Sequence, residues 1–186
     1  GKLTISINKA FDELKQSVEF AEKYFPNVRV IGSCGFGYNS AGASAVQELG
    51  FVFAAIVEYA NKLIEKGLSA EKVFKNIRVT FGISSFYFME IAKLRAAKLL
   101  WNTIVKAYGL NTEDNKLYIH ARTSKFNQTK YDPYVNMLRT TTQAFSAVLG
   151  GIDSLHTNAF DEEFNTPDEF GRRIARNTQI ILKEES

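Results

Sequence analysis

The segment GSCGFGYNSAGA, Gly32 to Ala43, follows the apolar run Val28, Val30 and Ile31 and precedes a long stretch with helical spacing. A strand that ends in glycines and runs straight into a helix is the βα unit of a parallel sheet. After Gly32, the glycines fall at Gly35, Gly37 and Gly42. A dinucleotide loop, G-x-G-x-x-G, needs its third glycine two residues earlier, and an acidic residue about twenty positions further on to bind a ribose. Neither is present, so the segment reads as a βα turn without a dinucleotide.

The same unit recurs on both sides of this turn. Phe11, Leu14, Val18 and Ala21 share one helical face before Pro26, and Val28 to Ile31 reads as a buried strand. Val46, Leu49, Phe53, Ile56, Ala60 and Leu63 mark a helix that closes near Gly67, and Ser69 caps a short helix over 70–75. Ile77 to Phe81 is a strand, followed by a helix carrying Phe88, Ile91, Leu94, Trp101, Ile104 and Tyr108 and stopped by Gly109. Lys116 to His120 is the third strand. Asp132-Pro133 then predicts a capped helix start, with Tyr134, Leu138, Phe145 and Leu149 as its apolar face and Gly150-Gly151 as its end. Ser154 to His156 is a short fourth strand. Thr166-Pro167-Asp168-Glu169 reads as a capping box opening a last helix that buries Phe170, Ile174 and Ile181. One helix followed by four βα repeats demands an α/β fold with a parallel sheet, either open or half of an eight-stranded barrel.

Composition bounds what such a domain does. The chain has 186 residues, 45% of them hydrophobic, and a net charge of +3, enough for one domain with a real core. No apolar run approaches the roughly 18 residues of a membrane span. The lysines are scattered, which argues against nucleic acid. One cysteine, Cys34, allows no internal disulfide and, with no signal-peptide pattern at the N-terminus, points to the cytoplasm. Cys34 itself reads as a small buried residue. Two histidines and one cysteine argue against a dedicated metal site.

Chemistry in parallel α/β folds gathers at the carboxyl ends of the strands. There the sequence offers His120, Arg122, Ser124, Asn127, His156, Asn158, Asp161, Glu162 and Glu163. Helix starts after Gly42, Ser85, Asp132 and Thr166 turn their amides toward the same rim, which favours an anion.

Four longer motifs go further. SLHTNAFDE (Ser154 to Glu162), RIARNTQIILKEES (Arg173 to Ser186), FMEIAKLRAAKLLW (Phe88 to Trp101) and DPYVNMLRTT (Asp132 to Thr141) resemble the methylmalonyl-CoA mutase family, in register from Phe11 to Ser186. Members are adenosylcobalamin-dependent isomerases that interconvert methylmalonyl-CoA and succinyl-CoA. They bind the ester along the axis of a (β/α)8 barrel and carry cobalamin on a separate domain. The resemblance implies that residues 1–186 form a single domain, a parallel (βα)4 half of the TIM-type barrel, without the cobalamin-binding domain. Such a half, with open strand edges, is expected to self-associate and to hold no cofactor of its own.

The departures from the family fall at the pocket. Catalytic members read approximately G-Y-H-x-Q-E-A-G-A where this chain has Gly35-Phe36-Gly37-Tyr38-Asn39-Ser40-Ala41-Gly42-Ala43. Their histidine lies by the thioester carbonyl and their tyrosine packs on the corrin side; here these are Gly37 and Phe36. Loss of one such donor costs about 10²–10³ in rate. Before the next loop, R-L-S-F-F/W-W becomes Asn76 to Phe81, which removes an arginine and puts Arg78 in place of a serine. In H-x-Q-T-S-G-W the histidine survives as His120, while Arg122, Lys125 and Phe126 replace glutamine, glycine and tryptophan. Glu162, which faces the adenosyl side in active members, also survives.

The resemblance therefore implies no catalytic residue here. Phe36, Gly37, Asn39 and Arg122 are degenerate pocket positions, Glu162 and His120 are remnants of cofactor binding, and no metal is expected. It matches the small subunit of heterodimeric mutases, a structural partner of a catalytic large subunit, with adenosylcobalamin in the parent heterodimer. The alternative is a catalytic acyl-CoA mutase of altered specificity, with Arg122 and Lys125 binding a differently charged acyl group.

Overall fold

The structure, a computed structural model, describes residues 4–185. In chain order the elements are α1 (Ile7–Tyr24), β1 (Ile31–Cys34), α2 (Phe36–Ser40), α3 (Ala45–Glu65), α4 (Ala70–Lys75), β2 (Ile77–Ile83), α5 (Tyr87–Ala107), β3 (Tyr118–Thr123), α6 (Val135–Gly150), β4 (Ser154–His156) and α7 (Glu169–Glu184). The strands are parallel and lie in the order β1-β2-β3-β4. Sequential parallel strands joined by helices are the arrangement of a (β/α)8 barrel, and four of them make an unclosed half.

Side chains alternate across a strand, so each strand contributes to two faces. Ile31, Ile77, Val79, Phe81, Ile83, Ile119 and Ala121 turn toward the helices and are fully buried with Val52, Ile56, Leu63, Leu94, Ala97 and Trp101. The opposite, axial face carries three rows set by the register. These are Gly32–Arg78–Tyr118, Cys34–Thr80–His120–Ser154 and Gly82–Arg122–His156. None of these residues is a branched apolar one, the type that fills the interior of a closed barrel.

Several boundaries and faces differ from those the sequence predicts. β1 starts at Ile31, because Phe25 to Val28 form a turn in which Val28 N donates to Phe25 O (2.9 Å), leaving Val28 exposed. β2 runs on to Ile83, and β3 is shifted to 118–123. Cys34 is exposed, since it alternates with the buried Ser33 and so faces the axis. Asp132-Pro133 does not cap α6. Residues 131–134 are a bend and turn, pinned by Asn136, whose side chain donates to Thr129 O and Phe160 O (2.9 Å each). α7 is capped by Asp168 and not by Thr166: Asp168 Oδ1 accepts from Gly171 N (2.7 Å).

The faces of the last helices are also other than expected. Tyr134, Leu138, Phe145 and Leu149 are exposed, and α6 instead buries Asn136, Thr140, Gln143, Ala144, Ser146 and Ala147. In α7 the buried residues are Gly171 and Thr178, while Phe170 and Ile181 are exposed and Ile174 is half-buried. Val46 and Phe88, at the first turns of α3 and α5, are exposed.

Candidate functional site

The glycine segment forms the end of β1 and the short helix α2. Gly35 N donates to Thr80 O (2.7 Å), which ties the turn to β2, and a Cβ at Gly35 would lie 2.7 Å from Glu48. That close approach requires glycine. Position 37 is the opposite case, because a Cβ there meets nothing within 4 Å. The loop has room for a side chain at position 37, and glycine supplies none. Asn39 is buried, and its amide nitrogen makes long contacts to Glu48 Oε2 (3.4 Å) and Gly82 O (3.5 Å). A Cβ at Gly82 would collide with this carboxamide, so Gly82 makes space for Asn39.

Beneath this turn sits a buried charge triad that the sequence reading does not single out. Lys93 Nζ pairs with Glu48 Oε2 (2.7 Å) and with Glu90, and also donates to Gly82 O. Glu48 Oε1 accepts from Gly82 N (2.8 Å). All three side chains are almost wholly inaccessible to solvent. Burial pushes the Glu48 carboxyl up, and Lys93 opposes that shift. The signal was available: Glu48 sits one helical turn before Val52 on the apolar stripe of α3, and Lys93 adjoins Leu94 on that of α5. Charges in an apolar stripe announce a buried pair. The triad staples the end of β2 to the starts of α3 and α5, and through Asn39 it holds α2.

The strand ends of β3 and β4 bring Arg122, Lys125, Asn158, Glu162 and Glu163 together. Arg122 Nη2 pairs with Glu162 Oε1 (2.6 Å), its Nε donates to Asn158 Oδ1 (3.0 Å), and its guanidinium lies 4.6 Å from the Phe36 ring centre. Lys125 reaches Glu163 (2.9 Å) and Glu162 (3.5 Å). Asn158 is itself fixed: its side-chain amide donates to Thr123 O and its backbone N–H donates to Thr123 Oγ1 (2.9 Å each). The rim's cations and carboxylates thus satisfy one another.

The other candidates lie apart from this cluster. His120 Nδ1 is 2.8 Å from Ser154 Oγ, one row further down the axial face. Partial burial, then His156, Arg78 and Arg122, push the His120 imidazolium below its ordinary range. His156 is lowered by burial and Arg122, against the opposing pull of Glu162. Asp161 is buried against Gly171, Ser124 Oγ accepts from Phe126 N (3.2 Å), and Asn127 is half-buried. A groove of about 280 Å³ lined by Arg29, Arg78, Tyr118 and His120 opens on the axial face, and another of about 450 Å³ lies between the starts of α3 and α5.

The profile of the methylmalonyl-CoA mutase family matches residues 1–186, the whole length of the sequence. The chain belongs to this family. It is 43% identical over 167 residues to a methylmalonyl-CoA mutase small subunit from Porphyromonas gingivalis, covering 89% of this chain and 27% of that protein. The methylmalonyl-CoA mutase of Escherichia coli is 43% identical over 164 residues, which is 87% of this chain and 23% of that protein. A small subunit from Streptomyces virginiae is 41% identical over 177 residues, covering 95% and 29%. The chain spans about a quarter of the length of these curated relatives. Among the described residues no helix is long and apolar enough to cross a membrane.

Proposed function

We propose that this chain is part of the small subunit of a heterodimeric methylmalonyl-CoA mutase, a non-catalytic barrel that supports a catalytic large subunit. The observation that carries this reading is the engagement of Glu162 by Arg122, stacked on Phe36, at the rim where the family does its chemistry. The absence of a side chain at Gly37 removes the group that would polarise a thioester carbonyl. Small-subunit relatives from two bacteria lend it further support.

The rim residues do not fit an adenosyl group. The carboxylate that the resemblance turns toward it has one oxygen within reach of both Arg122 and Lys125. Adenosylcobalamin is therefore assigned to the parent heterodimer and to its catalytic chain. The alternative of an acyl-CoA mutase with altered specificity needs Arg122 and Lys125 to bind an acyl carboxylate. Both cations are already matched by Glu162 and Glu163, which weighs against it.

A chain limited to these four βα units leaves the edges of β1 and β4 unpaired, and it self-associates on that account. The reading is tested by co-purifying the full-length subunit with its large subunit and recording a cobalamin absorbance spectrum of each separated chain. Cobalamin is expected on the large subunit alone. Stoichiometric cobalamin on the isolated small subunit would overturn the reading.

A further inference from the structure

Arg78 is a cation without a counter-ion. It stands on the axial face of β2 and makes no hydrogen bond or ion pair among the described residues. Its guanidinium lies across the neighbouring strand, where a Cβ at Gly32 would be 3.9 Å from both Nε and Nη2. β1 is an edge of the sheet, so Arg78 leans toward the side on which a closed barrel continues.

The groove of about 280 Å³ around it sharpens the imbalance. Its lining is Asn27, Arg29, Arg78, Tyr118, His120 and Ser154, two guanidiniums and an imidazole with no carboxylate. Arg29 is fixed, donating to Ile77 O (2.9 Å) with its guanidinium 5.5 Å from the Tyr118 ring centre. Asp153, whose charge reaches Arg29, is taken up by Ile119 N (2.7 Å). Like charges gathered in a barrel interior repel, and a carboxylate facing them turns that repulsion into attraction.

The axial arginine whose surroundings are complete shows how this chain meets that need. Arg122, on β3, leans toward β4 and is paired there with Glu162, which follows that strand. Arg78 leans the other way, and in a barrel the strand beyond β1 comes from the residues that precede it in the chain. A full-length subunit has the length for it, since the match to the Porphyromonas gingivalis small subunit covers 27% of that protein. Each layer of a barrel interior draws its side chains from alternate strands, so the group that meets a β2 residue over Gly32 comes from that preceding strand. A partner subunit packs on the outside of the barrel and does not reach this layer.

We propose that Arg78 pairs, over Gly32, with an Asp or Glu carboxylate on the strand that adjoins β1 in the full-length subunit, so that an ion pair bridges the barrel axis at this level. This rests on the small-subunit reading given above. The test compares the full-length subunit with its Arg78→Gln and Arg78→Lys variants by urea unfolding, with circular dichroism reporting the fold. A facing carboxylate makes Arg78→Gln destabilising, with an expected rise of about tenfold in the unfolding equilibrium constant, and Arg78→Lys restores most of the loss. Without that carboxylate, removing one of several like charges leaves stability unchanged or raised, and either result overturns the pair. The structure of the wild-type full-length subunit decides the same point without any variant. A carboxylate from the preceding residues within about 4 Å of the Arg78 guanidinium is expected. Water, a bound anion, or a residue of the large subunit or of a second copy in that place overturns the proposal, and leaves the small-subunit reading to be decided by co-purification and the cobalamin spectrum.

Discussion

Alternate residues of the same strands lead different lives in this molecule. Facing the helices, Ile77, Val79, Phe81, Ile83 and Ile119 are sealed in the core. Facing the axis, Arg78, Thr80, His120 and Arg122 are polar and partly open to solvent. Each outward residue touches many neighbours, so its replacement leaves a cavity or a clash. An axial residue has water or a single partner beside it, so its replacement costs the fold little. Arg78 and Arg122, which the resemblance marks as departures from the family's pattern, lie on the second face. On the reading proposed above, chemistry is lost from the axis while the architecture persists.

The largest effect is expected where the two faces meet. Lys93→Met leaves Glu48 and Glu90 buried without their cation and should cost about 3–5 kcal/mol in urea unfolding, or prevent soluble expression. Replacing all three members with apolar residues of similar size should recover most of that loss. If the single substitution proves neutral, the triad is not the staple between β2, α3 and α5.

Next comes the contrast itself. Ile119→Ala on the sealed face should lose about 2–5 kcal/mol. Thr80→Ala, on the axial face of the neighbouring strand, should stay within about 0.5 kcal/mol. Equal losses would mean that the axial face is packed against something and is not the solvated surface described above.

Arg122→Gln probes the rim. Its ion pair is part-exposed, with side chains 29% and 21% accessible, so stability should change by less than about 1 kcal/mol. A larger loss would make the Arg122–Glu162 pair a structural tie. The smallest effect is the pH response of the axial histidines. Both imidazoliums are held below the ordinary 6.5, so their contribution is complete above that pH and is lost as pH falls through the lowered values. The melting temperature should drop gently below pH 6.5, and His120→Gln/His156→Gln should flatten that drop. The Glu48 carboxyl, raised by burial, acts in the opposite sense and is untouched in the double variant.

Much of the fold is legible in the sequence because local chemistry encodes it. Ser69 accepts from Lys72 N as a cap, Gly109 and Gly151 end their helices with positive φ, and Ser154 to His156 form the strand that their spacing predicts. Apolar periodicity fails at α6, where Tyr134, Leu138 and Phe145 mark a seam pointing away from the sheet. Periodicity tells that a face is apolar, and never which neighbour covers it. Caps fail for a related reason. Asp132 and Thr166 carry good cap chemistry, but Asn136 and Asp168 capture the nearby backbone instead. At the site, the motif comparison locates Gly37 and Arg122, while the pairing of Arg122 with Glu162, forty residues away, needs the register of β3 against β4. The Glu48–Lys93–Glu90 triad is hidden for the same reason, since its members are adjacent only after α3 and α5 dock.

The proposed loss of chemistry from the axial face is tested most directly by turnover. The full-length subunit, purified away from its partner, is supplied with saturating adenosylcobalamin and methylmalonyl-CoA, and succinyl-CoA is measured against the catalytic large subunit assayed alike. With Gly37 offering no donor and Glu162 bound to Arg122, the expected result is no product above the cofactor-only background. Turnover at a rate comparable to that of the large subunit would contradict the account.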